Sequence, residues 1–364
     1  MNKKTKTPFF HIVKRGEIPL WQNIAIHIAA IVLALVVCSI LTTLITGLNP
    51  IKVYATMFEG NFGTERKTWV MLHALAILLG ISLALTPGYK MRFWNIGGEG
   101  QVLIGCMASG AVMHNHPDLP NALLLILMLI AAMAAGAVWG MIPAFFKAKW
   151  NTNETLFTLM MNYVAIQITA YFTIRWEVPK GSGKIGVINQ NTMAGWLPKI
   201  ADQQYLLTII VVAAMTIFMY FYLKYSKQGY EIAVVGESER TARYVGIKVE
   251  HVFIRTMAIS GALCGLIGYL LVAGSAHTIT TTLSGGRGFT GVMVAWMAKF
   301  NPILMILTSF LIAFMGNGAQ EIASRFYLNH SFSDILTGII IFFLIGCEFF
   351  VSYKLEHNKH REEA

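Results

Sequence analysis

Apolar runs of about 20 residues recur along the whole chain, set apart by short polar breaks, and this pattern restricts its folding more than any other feature. One such run could lie inside a soluble core. A chain of 364 residues with 55% hydrophobic and 13% charged positions has more apolar surface than one such core can hide. About 20 residues at roughly 1.5 Å rise cross a hydrocarbon layer of about 30 Å. Suitable runs lie near 24–46, 68–86, 95–113, 122–146, 154–174, 205–224, 252–274, 288–298, 302–319 and 335–353. The eighth is too short to cross alone. The runs are continuous rather than alternating, so the expected fold is all-α, a polytopic membrane helix bundle of about ten transmembrane helices including a short broken one.

Positive flanks resist translocation, so the Lys and Arg positions orient the chain. With ten crossings both termini share one side, and that side holds nineteen of the 28 Lys and Arg. The expectation is a single transmembrane domain over 1–364, multi-pass in the cell membrane, with both termini cytoplasmic. Its cytoplasmic parts are a basic N-terminus at 1–23, a loop at 225–251 and a tail at 354–364. A net charge of +10 then needs no nucleic acid to explain it. The first apolar run is too long for a secretory signal and is closed by no small-residue cleavage site, so it reads as an uncleaved helix. Cys38, Cys106, Cys264 and Cys347 all fall inside expected spans without paired spacing, which supports neither a disulfide framework nor a metal site.

Outside the spans, Lys180-Gly-Ser-Gly-Lys184 invites a phosphate-loop reading. It lacks the glycine spacing, carries Ile185 where Ser or Thr should follow the lysine, and has no strand and helix around it. No nucleotide site is expected in this chain. Small residues recur at helical spacing in Gly136-Ala-Val-Trp-Gly140 and Gly261-Ala-Leu-Cys-Gly265, with Gly268 beyond. Such spacing lets helix backbones approach closely in lipid.

Two glycine breaks interrupt the apolar pattern. Asn95-Ile-Gly97-Gly98-Glu99-Gly100-Gln101 opens the third span, and Gly285-Gly286-Arg287-Gly288-Phe289-Thr290-Gly291 opens the short eighth from the opposite side. Each glycine weakens a regular helix by roughly 1 kcal/mol relative to alanine and frees backbone groups for other partners. Interrupted segments in corresponding places are the mark of a repeat around a central path, so both breaks are expected to approach it.

Between the sixth and seventh spans lies a charged island, Gly229 to Ile247. Ser238 can cap a short helix through Glu239, Arg240, Thr241, Ala242, Arg243, Tyr244 and Val245, and Gly246 can close it in the left-handed conformation. A rod of about eight residues, near 12 Å long, suits a surface cleft better than a membrane.

The glycine breaks, the segment Asn153-Glu154-Thr-Leu-Phe-Thr-Leu-Met-Met-Asn162-Tyr163 and the island occur in an order that resembles bacterial ATP-binding-cassette (ABC) importer permeases. The branch includes ribose, simple-sugar, nucleoside and branched-chain amino-acid permeases, and the chain is most similar to the nucleoside and simple-sugar members. The resemblance implies a subunit that translocates a nucleoside or simple sugar and is not itself an enzyme. It also implies three partners: a cytoplasmic ABC ATPase that hydrolyses the ATP, a second homologous permease or second copy, and an extracytoplasmic substrate-binding lipoprotein. The island becomes a coupling helix, with Gly236, Ser238, Glu239, Arg240, Ala242, Arg243 and Gly246 in the ATPase contact and small Ala242 permitting close approach. Substrate-path candidates are Asn95, Gly98, Glu99, Gln101, Asn153, Glu154, Asn162, Tyr163, Gly286, Arg287 and Gly288. No cofactor or metal is expected on this chain. The alternative is an ion-coupled secondary transporter that uses Glu99 and Glu154. His27 and His73 stand alone in apolar spans and offer no catalytic constellation.

Overall fold

The structure, a computed structural model, describes residues 10–15, 19–47 and 49–357. The outer parts of the expected N-terminal and C-terminal cytoplasmic segments, at 1–9 and 358–364, lie outside the described residues. In chain order the elements are β1 (Phe10–Lys14), α1 (Leu20–Thr46), α2 (Pro50–Phe62), α3 (Glu65–Lys90), α4 (Gly98–Asn115), α5 (Asn121–Trp150), α6 (Glu154–Arg175) and α7 (Leu206–Tyr225). They continue with α8 (Lys227–Glu237), α9 (Glu239–Tyr244), α10 (Val249–Leu271), a π-turn (Val272–Ala276), α11 (Arg287–Met297), α12 (Pro302–Arg325), α13 (His330–Ser352) and β2 (Tyr353–His357). Eight described helices are long and apolar enough to cross a membrane: α1, α3, α5, α6, α7, α10, α12 and α13. The other two expected spans are α4 and α11, the helices that open on the glycine breaks. With 11 residues, α11 is about 16 Å long, half a crossing.

The chain forms two compact units. The first comprises 1–64 and 314–364. Here α1 packs on α13. Asn49 caps α2 by accepting from the Ile51 N–H at 2.9 Å, and Pro50 occupies the first helical turn, where its missing N–H costs nothing. Buried Asn61 donates to the Met57 and Phe314 carbonyls at 2.9 and 3.0 Å. An antiparallel sheet pairs β1 with β2, Phe10 opposite His357 and Lys14 opposite Tyr353, so both ends of the described chain leave this unit together. The all-α expectation omitted this sheet. Tyr-Lys-Leu-Glu-His alternates with a period of two, but it directly follows a long apolar helix and carries charge, which made it read as a tail.

The second unit, 65–313, is built on α10, which packs against α5, α4 and α3. Its glycines explain why. A Cβ on Gly261 would fall on the Gly136 carbonyl, and one on Gly136 would fall on the Gly261 carbonyl. On the other side a Cβ on Gly268 would lie 2.6 Å from the Cys106 nitrogen, in the backbone of α4. Three helices thus meet backbone to backbone.

The loop between α6 and α7 is tied to the π-turn. Its Leu197 N–H donates to Ala273 O at 2.9 Å, Gln204 donates to Gly274 O at 3.2 Å, and Trp196 stacks on His277 at 3.7 Å. The Gly-Ser-Gly turn encloses a carboxylate rather than a phosphate. Gly181 and Gly183 each donate a backbone N–H to Glu177 at 2.8 Å, and these bonds hold its carboxyl below the usual carboxylate range. A depressed folded pKa stabilises the turn above the unfolded value, and that contribution is lost as pH falls through the folded one. Amide exchange at Gly181 and Gly183, corrected for its intrinsic pH dependence, should therefore speed up on acidification below the normal glutamate range. Glu177→Gln should remove that dependence.

Candidate functional site

The third span does not start where its apolar run does. After α3 ends at Lys90, residues 91–97 fold back into the bundle, with the Phe93 N–H bonded to Gly88 O at 2.9 Å and Arg92 in the left-handed region at φ 58°. Tyr89 donates its hydroxyl to the Asn95 carbonyl. Asn95 is fully buried; its Oδ1 accepts from the Gly97 N–H at 2.9 Å, and its amide faces that of buried Gln101 at 3.4–3.5 Å. Only then does α4 begin. A Cβ on Gly98 would lie 2.9 Å from Leu85 Cδ1, five residues before the end of α3, which places the start of α4 about 7 Å inside that end.

The first turn of any helix leaves backbone N–H groups without intrahelical partners. In α4 one of these belongs to Gly100, and Asn162 of α6 accepts it through Oδ1 at 2.8 Å while its Nδ2 donates to Ile96 O at 2.9 Å. Thr158, one turn earlier on α6, accepts from the Ile96 N–H at 3.1 Å. The sequence alone did not single out Thr158, although Thr158 and Asn162 stand four apart on one helix face.

The second break arrives from the opposite end. α10 is antiparallel to α3, with Gly88 beside Met257 and Gly80 beside Ile267, so the cytoplasm-expected end of α3 lies at the start of α10. Residues 277–286 return from the far end of α10, and α11 begins beside the middle of the bundle, where a Cβ on Gly291 would lie 3.1 Å from Ile81 and 3.3 Å from Ser82 Oγ. Both breaks meet at Glu99. Its Oε1 accepts from the Gly286 N–H at 2.9 Å and its Oε2 from the Gly288 N–H at 2.8 Å. The carboxylate is 6% exposed and caps the N-terminus of α11, where free N–H groups and the helix dipole favour negative charge. Gly286 is left-handed at φ 73°, and a Cβ on Gly288 would fall on the Glu99 backbone nitrogen, so both glycines are required by this contact. Arg287 between them is half-buried.

Of the path candidates, Asn95, Gly98, Glu99, Gln101, Asn162, Gly286, Arg287 and Gly288 therefore form one neighbourhood. Three do not join it. Asn153 caps α6 by accepting from the Leu156 N–H at 3.1 Å, Glu154 pairs with Lys147 at 3.0 Å, and Tyr163 is 60% exposed on the outer face of α6.

The island folds as expected, with one reversal. Ser226 caps α8 and Ser238 caps α9, accepting from the Thr241 N–H at 3.2 Å; Gly246 follows in the left-handed region at φ 86°. Gly236 presses against the Lys90 backbone, where a Cβ could not fit. Ala242, expected at the docking surface, is fully buried with Met91, Phe93, Ile232, Val252 and Met257. The reason is amphipathic sorting in a six-residue helix: the one small apolar residue turns inward, while Glu239, Arg240, Arg243 and Tyr244 turn outward. Tyr244 is 92% exposed. Arg255 of α10 pairs with Glu231 of α8 at 2.9 Å, and Arg243 pairs with Glu250 at 2.5 Å, tying the whole device to α10.

A family model described as branched-chain amino acid transport system / permease component matches residues 66–345. Glucose ABC transporter permease protein TsgB13 of Haloferax volcanii is 28% identical, over 94% of this chain and 92% of its own. Guanosine ABC transporter permease protein NupP of Bacillus subtilis is 29% identical, over 89% and 93%. Nucleoside ABC transporter permease protein NupB of Lactococcus lactis is 26% identical, over 93% and 94%. With the matched region running from the first turn of α3 well into α13, and both glycine breaks and the α8–α9 device inside it, the chain belongs to the family of permease components of branched-chain amino-acid-type transport systems, membrane transport subunits rather than enzymes.

Proposed function

We propose that the chain is the membrane-spanning permease subunit of an ABC importer that carries a nucleoside or a simple sugar across the cell membrane. The observation that carries this reading is the α8–α9 device: a capped, charged helix pair, joined by ion pairs to the central helix and presenting an exposed Tyr244. A cytoplasmic ATPase that grips α9 would move α10 with it, because the two are held as one body. Both termini are cytoplasmic on this reading, in keeping with the Lys and Arg bias. ATP is hydrolysed by that partner, and this chain binds none. A second homologous permease, or a second copy, completes the pore, and an extracytoplasmic binding lipoprotein delivers substrate. The named relatives, permeases for glucose, guanosine and nucleosides, support this substrate range.

Ion coupling is less well served, since Glu99 already accepts two backbone N–H bonds and Glu154 is paired with Lys147. The buried position of Ala242 also moves the docking contact to Arg240, Tyr244 and Val245. Exposed Tyr and Arg are the residue types that dominate interface energies, at about 2 kcal/mol or more each when central. Tyr244→Ala with Arg240→Ala should therefore cut substrate-stimulated ATP hydrolysis by the assembled transporter at least roughly tenfold while membrane insertion is retained. Wild-type stimulation in that double variant refutes the coupling assignment.

A further inference from the structure

The far end of α10 is held more closely than a connecting loop requires. A helix C-terminus leaves carbonyls without intrahelical donors. Here the π-turn adds a wide bond from the His277 N–H to Val272 O at 3.0 Å, and the carbonyls that follow are taken up by the loop at 176–204. Ala273 O accepts from the Leu197 N–H, Gly274 O from the Gln204 amide, and His277 O from the Ile188 N–H at 2.8 Å. Thr278 donates to Ile185 O at 2.7 Å. The loop also rests on the ends of α4 and α5, where Asn189 donates to Met113 O at 3.0 Å and the Gly195 N–H to Asn121 Oδ1 at 2.8 Å. These two helices meet α10 backbone to backbone. One body therefore carries the α8–α9 device at one end and this loop at the other, with the 28 residues Val249–Ala276, about 40 Å of helix, between them.

His277 is the centre of this clasp. It is 6% exposed, lies in the left-handed region at φ 51°, and stacks within 3° of parallel on Trp196, whose Nε1 donates to Ile188 O at 3.0 Å. Its Nε2 is 3.2 Å from Gln204 Nε2. That same Gln204 nitrogen lies 3.2 Å from the Gly274 carbonyl, which can only accept, so the atom is the amide donor and its second hydrogen goes to the imidazole. The ring is thus neutral, with Nε2 accepting and its one hydrogen on Nδ1. A second proton would have to enter at Nε2, against a donor. Burial acts in the same sense, lowering the pKa of the ring from the ordinary histidine value. The titratable groups on the packed elements are engaged elsewhere. His73 of α3 stacks on Tyr205 at 4.7 Å, His114 of α4 stacks on Trp176 at 5.2 Å, and Glu65, Arg66, Lys199 and Asp202 line a pocket of about 330 Å³ on which Gln204 also opens.

We propose that His277 is a positioning residue for transport: through Trp196 and Gln204 it clasps the α6–α7 loop to α10, so that a binding protein seated on this loop acts on the α8–α9 device, and protonation of the ring opens the clasp. The inference rests on the transport reading above and adds a regulation to it. The loop is the longest stretch between helices among the described residues and lies at the end of α10 opposite the device. Its pocket offers charges of both signs to a protein partner. Because the folded ring has a lowered pKa, the clasp holds above the ordinary histidine value and is lost as pH falls through the lowered one.

Two measurements test it. The first is amide exchange at Leu197 and Ile188 in the detergent-solubilised full chain, corrected for intrinsic pH dependence, between about pH 7.5 and about pH 5, on either side of the ordinary histidine value of about 6.5. Exchange at both amides should quicken on acidification in the wild type and be insensitive to pH in His277→Phe, which keeps the stack but cannot titrate. The second is ATP hydrolysis by the assembled transporter with and without its binding protein. Stimulation should fall roughly two- to tenfold in Trp196→Ala, the shift expected from losing an aromatic pair, with basal hydrolysis unchanged. It should also fall on acidification in the wild type and fall less in His277→Phe. Equal pH dependence of exchange in wild type and His277→Phe overturns the clasp and leaves the transport reading intact. Full stimulation in Trp196→Ala overturns the positioning role. If exchange behaves as expected but no binding protein stimulates the wild type at about pH 7.5, the transport reading fails, and with it the role in transport, while the proton-sensitive clasp stands.

Discussion

Glu99→Ala should uncouple the half-helix α11 from α4 and abolish transport. The carboxylate is almost fully buried and is the acceptor for the Gly286 and Gly288 N–H groups, so its removal strands two donors at the start of a helix. Each stranded donor costs about 1–3 kcal/mol, giving up to about 2–6 kcal/mol for the pair, with the part-buried Gly286 N–H at the lower end, which is a large fraction of a typical folding free energy. Glu99→Gln keeps one acceptor oxygen and turns the other position into a donor facing an N–H, so it should fall between wild type and Glu99→Ala. The measurement is thermal stability of the detergent-solubilised chain together with uptake by the assembled transporter. A Glu99→Ala protein with wild-type stability and uptake would show that the carboxylate does not hold α11.

Gly261→Val should do more damage, preventing the second unit from assembling. A Cβ there meets the Gly136 carbonyl oxygen, lies 2.8 Å from that carbonyl carbon and 3.2 Å from Ala137 Cα, and so collides with backbone that no rotamer change can move. Overpacking against side chains typically costs about 1–3 kcal/mol; against backbone at the crossing of α5 and α10 the helices must separate and lose their contact along its length. The expected readout is loss of the monodisperse peak when the tagged chain is run on size exclusion. Gly316→Ala is the control, since a Cβ there meets nothing within 4 Å and alanine is the better helix former by about 1 kcal/mol. If Gly261→Val elutes like wild type, the close approach of α5 and α10 is not a requirement of the fold.

The long spans were legible because length and hydropathy alone define a crossing helix, and the glycine breaks were legible because glycine tolerates backbone that other residues do not. What the sequence could not tell is which partner each break finds. That Glu99 binds N–H groups 187 and 189 positions away is a tertiary fact with no local signature. Asn162 and Tyr163 are neighbours in sequence yet opposite in role, one buried and bonded to α4, the other outside, and only the rotation of α6 decides which is which. Ala242 was misplaced for a related reason: α9 has six residues, fewer than two turns, too short for a periodic pattern to separate its inner from its outer face.

The pairing of β1 with β2 also sets an order of events in time. A ribosome adding about 10 residues per second needs roughly 35 s between Phe10 and His357, so the first strand must wait that long for its partner. The first unit needs segments from both ends of the chain, 1–64 and 314–364, whereas the second is encoded without interruption by 65–313 and can form while synthesis continues. A chain cut short before Tyr353 would thus keep every residue of the Glu99 neighbourhood and of the α8–α9 device, yet leave its first strand with nothing to pair.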